Sequence, residues 1–158
     1  ARSRDLFDEY VCRDALDWLR NEAASRRLWE VIVASHVIEH LERESGEEFL
    51  RLIESVSPRL TYIETPYGFV EPGHYQGDPL QVHRSAWFPW DFAARGYTVF
   101  GMGMRGLRGS RSRARLGMEF LTRSLERAIA WFSYPRPSWG STIAAIRYVD
   151  GEGCLRRV

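Results

Sequence analysis

Lysine is absent: all 22 basic residues of this 158-residue chain are arginine. Such a bias fits a GC-rich genome or an adaptation of surface ion pairs, and the sequence leaves both open. Cysteine is almost absent. Cys12 and Cys154 are too few for a disulfide framework, and neither belongs to a C-x-x-C pair of the kind used for zinc or redox work. Both read as small buried hydrophobes. No apolar run approaches the roughly eighteen residues of a membrane span. No basic segment followed by an apolar one opens the chain, so a cytoplasmic protein that makes no membrane contact is expected. A net charge of +1 provides no global field for nucleic acid or membrane.

What is present is globular composition, 44% hydrophobic and 13% aromatic, in a length that fits one domain over residues 1–158. Charge is locally uneven. "RGLRGSRSRAR" gathers Arg105, Arg108, Arg111, Arg113 and Arg115 among glycine and serine. Spaced guanidinium groups suit the phosphates of RNA, whereas a solvated basic loop needs no partner at all.

Strand and helix patterns alternate along the chain. "DLFDEYVC" reads as a short strand ending near Tyr10 to Cys12, and "DALDWLRNEAASRR" as a helix capped by Asp14 with Ala15, Leu16 and Leu19 on one face. "LWEVIVAS" has the apolar, β-branched pattern of a strand covered on both faces, and "ESGEEFLRLIESVS" is helical through Phe49, Leu52, Ile53 and Val56. Beyond Pro58, "RLTYIET" reads as a strand, "PYGFVEPGHYQGDP" as a loop, "HRSAWFPWDFAARG" as a helix from about Ser85 to Gly96, and "YTVFGMG" as a strand. "LGMEFLTRSLERAIAWF" predicts a long helix with Met118, Leu121, Leu125, Ile129 and Phe132 inward, and "STIAAIRYV" a final strand before the tail. This alternation predicts an α/β layered domain with a largely parallel sheet.

Within "VIVASHVIEHL", His36, Glu39 and His40 spell H-x-x-E-H, the inverted zinc-protease motif. That chemistry needs both imidazoles on one helical face. Here a strand runs into the motif and a new helix starts at "RESGEE", so the three residues fall on a turn and no metal is expected. In open α/β sheets ligands bind beyond the carboxyl ends of the strands. Asp14, Ser35, His36, Glu39, His40, Pro66 and Tyr67 then share one rim.

"ASHVIEHLERESGEEFLRLIESVSPRLTYIETPYG" resembles the middle of a class I S-adenosylmethionine-dependent methyltransferase, where a strand, a helix and a further strand ending in such a turn follow one another. "DEYVCRDALDWL" is similar to the family's preceding strand and turn, and "HRSAWFPWDFAARGYTVFG" to its later helix and strand. The resemblance implies a Rossmann-like three-layer sandwich of about five strands, mostly parallel with an antiparallel last strand. It also implies S-adenosylmethionine as cofactor and an acceptor of unknown identity. Asp14 and Ala15 would meet adenine, and Ser35, His36 and Val37 the methionine portion and sulfonium. His36, His40 and His83 would be candidate bases. Glu39, Pro66, Tyr67 and Gly68 would face the acceptor, with Tyr67, Phe69, Trp87 and Trp90 as an aromatic wall or, equally, as core.

One departure stands out. The family's Gly-rich turn and its following acidic strand end do not precede Asp5. The chain therefore resembles the carboxyl-terminal two-thirds of the domain, without its amino-terminal cofactor-binding strands. In the family those strands would lie between the first and second strands read here, and unpaired strand edges are a liability. Either the first strand closes up against the second, or another copy of the chain completes the sheet as a homodimer. The competing reading is a non-catalytic methyltransferase-like binding or assembly module that contacts RNA through the Arg-rich loop.

Overall fold

Asp14 turns the chain into the first helix of the computed structural model, which describes residues 9, 11–57, 59–70, 81–103, 105, 132–150 and 155–156. Its Oδ1 accepts hydrogen bonds from the N–H groups of Leu16 (2.9 Å) and Asp17 (3.1 Å), two donors that helix geometry leaves unpaired. Helix α1 (Ala15–Ala24) buries Leu16 and Leu19. Helix α2 (Arg43–Val56) buries Gly46, Phe49, Leu50, Ile53 and Val56, the three-and-four spacing of one apolar face. Helix α3 (Pro89–Ala93) starts at a proline in the first helical position, with the Phe88 N–H donating to Asp91 Oδ2 at 2.8 Å. It starts later than the expected Ser85, because residues 82 to 86 form no helix and Ser85 is tied to another turn.

The strands are β1 (Val31–Ser35), β2 (Leu60–Pro66), β3 (Thr98–Met102), β4 (Thr142–Val149) and β5 (Leu155–Arg156). Their order is β1-β2-β4-β3, with β5 paired to β4. β1 and β2 are parallel and joined through α2, with Ala34 opposite Ile63. β4 runs antiparallel to both β2 and β3 and lies between them. The fold is thus a mixed α/β sheet in which β1, β2 and β3 share a direction and the last long strand opposes them, as expected. The β5 pairing in the tail was not expected.

Register assigns the faces. Partnered residues point to the same side, so Ala34, Ile63 and Ala145 lie on one face with Ile143 and Thr65. Buried side chains of α1, α2 and α3 close over that face in a single core with Trp87 and Tyr97. Gly46 makes one close approach possible: a Cβ there would stand 2.4 Å from the Trp87 ring. Glycine lets the indole lie directly against α2.

Several expectations fail here. No strand forms at the described residues Glu9, Val11 and Cys12, so no first strand closes against the second there. β1 is not covered on both faces: Val31 and Val33 are 53% and 64% exposed, and among the described residues its one strand partner is β2. A run of β-branched residues reports strand propensity, not which faces are covered. Cys12 is exposed rather than buried, and Cys154 lies outside the described residues. Phe132 is exposed, and the rest of the apolar face expected for the long helix lies outside the described residues, as do Arg108, Arg111, Arg113 and Arg115.

Candidate functional site

The rim begins where β1 ends. The His36 N–H extends the ladder by donating to the Glu64 carbonyl at 2.9 Å, and His36 itself has φ 54°, a left-handed conformation rare without glycine. That reversal leads into a tight 3-10 turn, Ile38–His40, which drives Glu39 inward until it is 2% exposed. The buried carboxylate accepts from Thr65 Oγ1 at 3.1 Å and faces His36 Nδ1 at 2.9 Å. A carboxylate offers only acceptors, so Nδ1 carries the proton in that contact.

The turn is stitched to residues far along the chain. The Glu39 carbonyl accepts from the Arg84 and Ser85 N–H groups, Ser85 Oγ donates to the Ile38 carbonyl, and Trp87 Nε1 donates to Ser85 Oγ. This positions His83 beside His40, with ring centroids 4.9 Å apart and an edge-on angle of 74°. His40 Nδ1 lies 3.2 Å from the Val82 carbonyl. A carbonyl only accepts, so Nδ1 holds the proton and Nε2 keeps its lone pair. Burial pulls the His83 imidazole below its ordinary pKa, against the opposing pull of Glu39, and His83 also hydrogen-bonds the backbone of Val70. One ligand-type atom each from Glu39, His40 and His83 then lie within 4.8 Å of one another.

A second feature adjoins this cluster. Ala15, Trp18, Ile32, Ala34, Val37 and Phe49 are among the residues lining an apolar cleft between α1, β1 and α2, about 180 Å³ in volume. Ala15 and Val37, expected at different parts of one cofactor, therefore share one cleft. Asp14 stands at its α1 end, exposed and engaged as the helix cap. Ser35 is on the outward face, where its Oγ donates to Glu64 Oε2 at 3.2 Å.

Pro66 closes β2 opposite Thr142, and the Tyr67 N–H donates to the Ser141 carbonyl at 3.0 Å. Gly68 bridges to Trp87 with φ 68°, which favours glycine. The aromatic alternatives divide. Trp87 is wholly buried, whereas Phe69 and Trp90 are exposed. Tyr67, Phe88 and Trp90 form a chain of ring contacts, and the Arg105 guanidinium lies over the Tyr67 ring at 4.2 Å.

Sequence reasoning named every member of the Glu39, His40 and His83 trio but not their convergence. Nothing in the spacing joins His83 to a motif more than forty residues earlier. Glu64 was missed as well. It accepts from Ser35 and Tyr62 and lies 3.6 Å from His36 Nε2; alternation along β2 places it on the outward face, but no motif marks it.

The chain is similar to two solved methyltransferases. One, a SAM-dependent methyltransferase from Archaeoglobus fulgidus, superposes with a TM-score of 0.49 and 20% identity over 86% of this chain and 65% of that one. The other, the small RNA methyltransferase HEN1, does so with a TM-score of 0.43 and 18% identity, over 85% of this chain and 16% of that one. The chain thus spans less than two-thirds of the length of either structure. No family model and no curated protein matches it. No helix among the described residues is long and apolar enough to cross a membrane.

Proposed function

We propose that this chain belongs to an S-adenosylmethionine-dependent methyltransferase, with the apolar cleft taking the adenosyl end of the cofactor and the histidine rim facing the methyl acceptor. The observation that carries this reading is the meeting of Ala15 and Val37 in one cleft at the carboxyl end of β1. The residues present fit adenine: apolar side chains suit a flat heteroaromatic ring, and Asp14 at the mouth offers a carboxylate to an exocyclic amine. When bound, the cofactor supplies a methyl group on a sulfonium.

This chain's residues orient the partners and move a proton. His36 ends β1 with its ring 51% exposed, held between Glu39 and Glu64. Those two carboxylates fix the orientation of the imidazole at the rim, which suits a general base that takes a proton from an acceptor hydroxyl or amine. Tyr67 and the Phe88–Trp90 stack offer flat faces for the acceptor.

Calorimetric titration with S-adenosylmethionine tests the reading. Micromolar binding, lost in Ala15→Trp because the indole fills the cleft, is the expected result. No binding by a chain whose circular dichroism shows it folded, at up to millimolar cofactor, overturns the reading for this chain.

A further inference from the structure

We infer that Glu39, His40 and His83 form a binding site for one divalent transition cation, with the rim side left open for an oxygen ligand. The proposal goes beyond the cofactor reading and does not depend on it. Its basis is the convergence of three donor atoms within 4.8 Å. Metal bonds of about 2.0–2.2 Å put the donors on one ion roughly 3–4 Å apart, so small side-chain rotations complete the site.

The surroundings prepare each donor. His40 gives its Nδ1 proton to the Val82 carbonyl at 3.2 Å, and His83 is tied to the Val70 backbone. Metal-binding histidines are oriented in this way, with one nitrogen held by a carbonyl and the other free to coordinate. Glu39 is fixed by Thr65 and His36, and among the described residues no arginine lies within ion-pair distance of its carboxylate. A carboxylate 2% exposed without a permanent cation beside it is costly, and a bound divalent ion offsets that cost. One carboxylate with two imidazoles favours zinc, cobalt or manganese over calcium, which prefers an all-oxygen shell. Three protein ligands leave a coordination position free, so the ion would polarise an oxygen brought to the rim.

This is not the zinc-protease arrangement of H-x-x-E-H. There His36 and His40 would be paired ligands on a helix; here His36 braces Glu39 and the second imidazole comes from His83.

Titration of the chain with zinc chloride, and with cobalt chloride followed by its visible absorption, tests the site. The expected result is one equivalent bound at micromolar strength or better, with a rise in melting temperature. Affinity should fall at least tenfold in His83→Ala and in Glu39→Gln, and by less than in either of these in His36→Ala, which removes only a brace of Glu39. Glu39→Gln keeps the buried shape, which guards against loss by misfolding, and each variant's circular dichroism is checked. Failure of the wild-type chain to bind either ion overturns the proposal, as does equal affinity in the wild type and in folded His83→Ala.

Discussion

Trp87 stands between two polar clusters that differ in kind. Towards α2, the Arg43 guanidinium lies 3.9 Å over the indole and binds Asp91 at 2.7 Å, Glu47 at 2.8 Å and the Ala86 carbonyl at 2.9 Å; Arg95 continues the network to Glu47 and Glu54. Towards the rim, the indole N–H meets Ser85, which ties down the turn carrying Glu39 and His40. The first cluster matches permanent cations to carboxylates and holds α2 against α3. The second surrounds one buried carboxylate with imidazoles and a hydroxyl, groups that change charge or accept a further ligand. A closed network of fixed charges stabilises structure, and an under-compensated one leaves affinity for something else.

The largest expected effect strikes both clusters together. Trp87→Ala removes a fully buried indole, the platform under Arg43 and the donor to Ser85, and should cost about 3–5 kcal/mol of unfolding free energy in urea melts. Arg43→Ala separates the two. It leaves Asp91 without its bidentate partner and Glu47 with Arg95 alone, and should cost about 2 kcal/mol, while metal affinity at the rim stays unchanged. Glu39→Gln is the reciprocal change. The amide oxygen still accepts from Thr65, and its nitrogen can donate to His36 Nδ1 once that imidazole takes its other tautomer, so stability should shift by less than about 1 kcal/mol while cation affinity falls at least tenfold.

Acid should distinguish the clusters too. Burial holds the folded His83 imidazole below its ordinary pKa, so the unfolded chain takes up a proton that the folded chain resists. The stability tied to neutral His83 is complete above the ordinary imidazole pKa and is lost as pH falls through the lowered folded value. Urea midpoints measured downward from neutral pH should therefore decline in the wild type and decline less in His83→Gln. The smallest effect belongs to the open strand: Val33→Thr, at a position 64% exposed, should alter stability by no more than about 0.5 kcal/mol. A larger loss would mean that this face is covered in solution.

Much of the fold was legible because it is local. Asp14 capping α1, the buried face of α2, and β2, β3 and β4 all follow from residue type and periodicity over a few turns. The rim position of His36, Glu39 and His40 was legible for the same reason, since a strand followed by a new helix leaves room only for a turn. The openness of β1 was not legible. Apolar β-branched residues serve equally in a covered and an open strand, and only the neighbours decide between them. The two roles of the aromatic run were equally hidden: Trp87 and Trp90 are three residues apart, yet one is wholly buried and the other 60% exposed.

By itself, then, the sequence determined where α1, α2 and β1 to β4 form and placed His36, Glu39 and His40 on the turn after β1. The tertiary structure decided that the Glu39 side chain is buried, that His83 stands beside His40, and that Ala15 and Val37 face one cleft. The physical reason is range. Capping and periodicity act within a few residues, whereas hydrogen bonds from Arg84, Ser85 and Thr65 to Glu39 close only when β2 and the segment before α3 have packed against the same turn. The histidine motif is a local string, but the site it belongs to is a product of packing.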